Sequence, residues 1–216
     1  MNKLIKILIS KFSLFDKLYK LIRASNQRML LRKWKKGLPM TGPPHFIKQQ
    51  IIKKYAVDFN LDTLVETGTY LGDMVYAVKD DFREIFSVEF DDALFKRAKR
   101  LFANYPHIHI VNGDSSKVLP KILNSLSKPC LFWLDAHYSQ GLTSKADEET
   151  PIKEEIKYIL ETSENRHVVL IDDAHLFMGQ NAYPALGKLR TFVLKEHPDW
   201  VFEVKDDIIR LHRKRN

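Results

Sequence analysis

The chain has 216 residues, 44% hydrophobic and 29% charged, a composition that excludes a disordered, fibrous or disulfide-stapled protein. A single cysteine, Cys130, excludes an intramolecular disulfide and a thiolate zinc cluster, and it fits a reducing, cytoplasmic compartment. The net charge of +8 is local: residues 1–40 hold 11 Lys/Arg against one acid, Asp16, whereas the rest carries 24 basic and 26 acidic side chains.

From Met1 to about Lys36 there is no Pro or Gly, and the spacing predicts a helix. At about 100° per residue, Met1, Leu4, Ile5, Leu8, Phe12, Phe15, Tyr19 and Ile22 share an arc of about 100°, with Lys3, Lys6, Lys17 and Lys20 opposite. The lysines interrupt any signal-peptide core, and no run of about 18 apolar residues is present to span a bilayer. Two readings of this face stay open. One is an anionic membrane surface, which places the protein peripherally at the inner face of the membrane. The other is packing on the main domain or on a second copy of the chain in a homo-oligomer. Nucleic acid is disfavoured as a partner, because a phosphate-binding helix has little use for eight apolar residues on one face. Gly37 to Pro44 then holds two Gly and three Pro and reads as a linker. The expected organisation is a basic amphipathic segment over 1–36, a linker over 37–44 and a main domain over 45–216.

Within the main domain, short β-branched or aromatic runs alternate with helical stretches. The expected strands are Leu61–Glu66, Ile85–Glu89, His107–Val111, Cys130–Asp135 and His167–Asp172, each followed by a helix-like stretch. That rhythm implies βαβ crossovers and a doubly wound, Rossmann-like parallel sheet with helices on both faces. Trp200–Val204 and Asp207–His212, joined by Lys205-Asp206, read as an antiparallel hairpin that brings the sheet to seven strands.

Ligands of such sheets bind beyond the carboxyl ends of the strands, so those residues carry the function. The first strand runs into Glu66-Thr-Gly68-Thr-Tyr-Leu-Gly72, where two glycines permit a tight turn and close approach of a ligand to the backbone. Glu89 ends the second strand about 20 residues on, placed to accept hydrogen bonds from a ribose. Asn112-Gly-Asp114-Ser115 follows the third. Together these indicate a nucleoside-type cofactor. A carboxylate at Glu66 would repel a pyrophosphate but suits a cationic, amino-acid-bearing ligand.

The Glu66–Gly72 loop, the Glu89 strand end, Asn112–Ser115 and the terminal hairpin resemble the class I S-adenosylmethionine-dependent methyltransferases over about residues 50–213. The resemblance implies that Glu66, Gly68 and Gly72 cradle the methionine part, that Glu89 holds the ribose and that Asp114 lies near the adenine. The chain departs from the common G-x-G-x-G form at position 70, which is Tyr.

The fourth strand ends in Asp135-Ala-His137 and the fifth in Asp172-Asp173-Ala-His175. If these strands are neighbours, three carboxylates converge, and they must raise a pKa, find a cation or bind a metal. Three carboxylate ligands suit magnesium, manganese or another hard divalent ion. The pattern is similar to metal-dependent sugar O-methyltransferases of the macrocin type, in which acids from these two strand ends bind magnesium. The expected activity is therefore methyl transfer to a hydroxyl of a small-molecule or glycan acceptor. Asp135, Asp172 and Asp173 are the expected metal ligands, and His137 and Asp135 the expected catalytic residues, with His137 as the general base. The alternatives are a nucleic-acid methyltransferase using the basic arm, and a membrane-surface binding protein without catalysis. His175 has no assigned role, and residues 137–150 read equally as a lid or a surface loop.

Overall fold

The computed structural model describes residues 25–40, 42–135, 151–162, 166–180 and 183–214. A helical segment over 25–35 precedes the domain. Then follow α1 (His45–Phe59), β1 (Thr63–Thr67), α2 (Asp73–Val78), β2 (Glu84–Glu89), α3 (Asp92–Leu101), β3 (Ile108–Asn112) and α4 (Ser115–Ser125). The second half runs β4 (Leu131–Leu134), α5 (Pro151–Glu161), β5 (Val168–Ile171), a 3₁₀ turn at Ala174–Leu176, α6 (Leu186–Glu196), β6 (Trp200–Lys205) and β7 (Ile208–Arg213). The sheet order is β3-β2-β1-β4-β5-β7-β6. The first five strands pair in parallel, and β7 is antiparallel to both neighbours.

Alternation along each central strand divides the core into two layers. Leu64, Ile85, Leu131 and Leu170 face α1, α2 and α3 through Ile52, Val75 and Ala98. Val65, Val88, Phe132 and Val169 face α4, α5 and α6 through Leu119, Ile156 and Val193. β1, β4 and β5 are buried along their whole length, as helix-covered parallel strands must be. Cys130 lies just ahead of β4, 1% exposed, with its thiol donating to the Lys128 carbonyl at 3.2 Å. Burial pushes that thiol up to about 12.

Local chemistry sets the element ends. The Asp91 carboxylate accepts from Ala93 N–H and Leu94 N–H and so starts α3, and Asp114 does the same for α4 through Ser116 N–H. Asn60 in the left-handed region closes α1, which delays β1 to Thr63. The hairpin turn lies one residue later than expected. Lys205 still pairs with Ile208, and the loop is Asp206-Asp207, both with positive φ (54° and 57°). A two-residue turn of this hand needs two left-handed residues, which Asp tolerates and Lys does not.

In the segment before α1, Pro43 and Pro44 are buried, and a Cβ on Gly42 would stand 3.0 Å from Asp207 Oδ2. Among the described residues no helix is long and apolar enough to cross a membrane.

Candidate active site

The carboxyl edge of the sheet gathers the residues that follow β1, β4 and β5 around one small opening of about 90 Å³. It is lined by Lys48, Glu66, Gly68, Tyr70, Asp135 and Asp172, among others.

The loop after β1 is held from several sides. Gly68 has φ 94°, and a Cβ there would stand 3.3 Å from Asp135 Cβ, so glycine lets the loop lie against the end of β4. Gly72 has φ 78°, and a Cβ there would meet Phe102 at 2.9 Å, so this glycine serves packing as well as the turn. Tyr70, the departure from the glycine pattern, also sits at positive φ (50°). Its N–H donates to Glu89 Oε2 at 2.7 Å, while Asp91 N–H donates to Oε1 at 2.8 Å. Buried Arg97 donates to the Leu71 carbonyl at 2.7 Å. Glu89, buried at the end of β2, therefore has its carboxylate clamped by backbone N–H groups, one of them from the loop. Asp114 is equally placed by its capping bonds, its side chain about one third exposed, with Lys117 at 3.5 Å.

Glu66 is 2% exposed and accepts from Ser87 Oγ at 2.5 Å, and Ser87 in turn bonds Thr69 Oγ1 at 2.6 Å. Burial pushes the Glu66 carboxyl up to about 8; the Ser87 bond opposes this, and Asp135 and Glu89 add to it. Because the folded protein holds this proton more tightly than the unfolded chain, Glu66 costs stability as pH rises from about 4.5 to 8. The urea midpoint of Glu66→Gln is expected to fall less steeply than wild type across that window. Identical slopes would place the Glu66 carboxylate in a more hydrated setting.

The acids after β4 and β5 converge as the adjacency of those strands requires. Asp135, Asp172 and Asp173 each bring a carboxylate oxygen to within 4.8 Å of the others. Asp172 N–H still bonds the Leu134 carbonyl at 2.9 Å, continuing the ladder. Asp173 then turns to φ 53°, which breaks strand alternation and lets consecutive carboxylates share one side.

Their counter-charge is Lys48, which the sequence reading did not single out. Its Nζ lies 2.5 Å from Asp172 Oδ2 and 3.5 Å from Asp173 Oδ1. Burial alone would lower the Lys48 pKa, but the Asp172 charge and hydrogen bond, with Asp173 and Asp135 behind them, raise it. Burial pushes Asp172 up to about 7, Lys48 opposing and Asp173 and Asp135 contributing.

His137 lies outside the described residues. His175 has a firm setting: its ring Nδ1 pairs with Asp207 Oδ2 at 2.6 Å, and its backbone N–H donates to Oδ1 at 2.8 Å. Asp173, His175 and Asp207 form a second group of ligand-type atoms within 4.8 Å of one another, sharing Asp173 with the first. Beyond His175 opens a cavity of about 540 Å³ walled by Trp34, Met40, Phe177, Met178 and Val204. α5 buries Glu155, and burial pushes its carboxyl up to about 7.

No protein-family model matches the sequence, and no curated protein matches it. Solved structures do match the fold. The chain is similar to a putative caffeoyl-CoA O-methyltransferase from Staphylococcus aureus, at 16% identity over 93% of this chain and 98% of that one, with a TM-score of 0.56. An O-methyltransferase from Bacillus cereus in complex with SAH gives 14% identity, coverage of 88% and 91%, and a TM-score of 0.58. The O-methyltransferase TomG from Streptomyces achromogenes, in complex with SAM, gives 15%, 90% of each chain and 0.56. With its sheet order, its terminal hairpin and these neighbours, the chain has the Rossmann-like fold of the class I methyltransferases.

Proposed function

We propose that the chain transfers a methyl group from S-adenosylmethionine to a hydroxyl of a small-molecule or glycan-type acceptor, with a divalent metal assisting. The observation that supports this best is the joining of two half-sites. The Gly68–Gly72 loop, tied to Glu89, lies directly against Asp135, so a cofactor cradle and an acidic cluster share one mouth. Two of the structural neighbours are described as bound to SAH or SAM, which agrees with a cofactor in that cradle.

The residues fit both groups. Glycine at position 68 keeps the loop close against Asp135, where an added Cβ would stand 3.3 Å from the Asp135 Cβ. S-adenosylmethionine supplies an electrophilic methyl on a sulfonium. Glu66 would face its cationic amino-acid part, Glu89 the ribose and Asp114 the adenine side. Asp135, Asp172 and Asp173 offer only hard oxygen ligands, the donor set that magnesium or manganese takes. An ion held there would supply a Lewis acid that orients the acceptor oxygen and lowers its hydroxyl pKa. The protein's remaining tasks are to align the hydroxyl with the methyl and to remove its proton. His137 is the proposed base, and the cavity of about 540 Å³ lined by Ala174, His175 and Asp207 is the proposed room for the acceptor.

Calorimetric titration with S-adenosylhomocysteine tests the cofactor half. Wild type is expected to bind, and Glu89→Ala to lose about 1.5–3 kcal/mol, the range for a hydrogen bond to a charged group. Unchanged affinity in Glu89→Ala would remove this residue from the site, and absence of binding by wild type would remove the methyl-transfer reading.

A further inference from the structure

We propose that Lys48 is an internal placeholder for the divalent cation: it neutralises the Asp172 and Asp173 carboxylates in the metal-free protein and must withdraw for an ion to bind. The inference rests on the metal-assisted reading above and concerns a residue on a helix that precedes the whole sheet.

Position is the first argument. Lys48 Nζ is 2.5 Å from Asp172 Oδ2 and 3.5 Å from Asp173 Oδ1. Those carboxylates, with Asp135, have oxygens close enough to share one ion. An ion coordinated by them would sit about 2.0–2.1 Å from each ligand oxygen if it were magnesium. The ammonium lies against two of the three carboxylates, so an ion held there would meet it at short range, and the two cations would repel each other.

Anchoring is the second. α1 is fixed on the sheet by Ile52, Tyr55 and Ala56, all buried, so the backbone of Lys48 cannot recede to make room. What can move is the side chain, a flexible four-carbon stem ending in a strongly hydrated ammonium, 14% exposed where it now sits. Swinging that ammonium into water opens the cluster without disturbing the helix.

Preorganisation is the third. Three buried or half-buried carboxylates repel one another, and the Lys48 ammonium offsets that repulsion at Asp172 and Asp173. Lys48 keeps these two ligands neutralised before the ion arrives. The cost is affinity, because every ion that binds must first displace a charge-assisted hydrogen bond. The cluster is thereby biased towards ions that carry two charges and against monovalent ones.

The test is manganese binding followed by electron paramagnetic resonance and by calorimetry on the full chain, so that no turnover is needed. Lys48→Met and Lys48→Gln remove the charge, and Lys48→Arg keeps it. Both uncharged variants are expected to bind Mn²⁺ at least about tenfold more tightly than wild type, and Lys48→Arg no more tightly. Either uncharged variant suffices if the other fails to fold. Wild-type binding with equal or weaker affinity in the uncharged variants would overturn the placeholder role alone. Absence of Mn²⁺ binding in every form would overturn the metal reading with it, while S-adenosylhomocysteine affinity reports separately on the cofactor half.

Discussion

Asp135→Asn and Asp172→Asn are expected to lower methyl transfer by at least about 10²- to 10³-fold while leaving S-adenosylhomocysteine affinity within about twofold. The magnitude is that of removing one preorganised electrostatic group from a reacting centre. Selectivity follows from placement. Asp135 and Asp172 follow β4 and β5, whereas the glycine loop follows β1 and Glu89 ends β2. Asparagine preserves side-chain shape, so the fold should persist. Excess chelator should reproduce the variants' loss in wild type. Full activity in chelator, with both aspartates still essential, would recast them as proton acceptors and leave the transfer metal-free. His137→Ala should instead slow turnover by about 10²- to 10⁴-fold with Mn²⁺ binding intact, as loss of a general base requires.

Gly68→Val and Gly72→Val are expected to separate function from stability at two positions four residues apart. Gly72→Val puts a β-branched residue at φ 78° with its Cβ 2.9 Å from the Phe102 ring, so the core must shift. Left-handed strain costs about 1–2 kcal/mol and overpacking about 1–3 kcal/mol, so a loss of about 2–5 kcal/mol in urea unfolding is the expected result. Gly68→Val, at φ 94°, carries the same left-handed strain but meets the Asp135 side chain at 3.3 Å rather than a buried ring at 2.9 Å, so its stability loss should be the smaller of the two. It should weaken S-adenosylhomocysteine binding by more than about tenfold, because the added bulk must push the loop away from Asp135 and reshape the proposed cradle. Wild-type cofactor affinity in Gly68→Val would show that the ligand lies elsewhere along the edge.

Most of the architecture was legible because strands buried on both faces leave a plain mark in sequence. β4 and β5 are short apolar runs, and the acid just after each falls at the carboxyl edge by construction. Convergence of Asp135 with Asp172 followed from strand adjacency alone, which the sheet order bears out. Lys48 was illegible for a different reason. It belongs to α1, whose rotation on the sheet is set by three-dimensional packing of Ile52, Tyr55 and Ala56, and one lysine among several on a helix carries no mark of where it points. The His175–Asp207 pair was hidden in the same way, since it joins residues 32 apart through a turn whose register differed by one from the expected one. Tyr70 looked like a weakness of the glycine loop. In the folded chain its left-handed backbone gives Glu89 an N–H to hold.

The lone thiol offers a use unrelated to catalysis. Cys130 leads into the central strand β4, almost fully enclosed, and its thiolate is suppressed by burial. A thiol reagent can therefore reach it only when the middle of the sheet opens, and its labelling rate becomes a clock for that opening. No engineered probe is required. Comparing the clock with cofactor, metal or neither would rank how firmly each locks the molecule, including ligands for which no turnover assay yet exists.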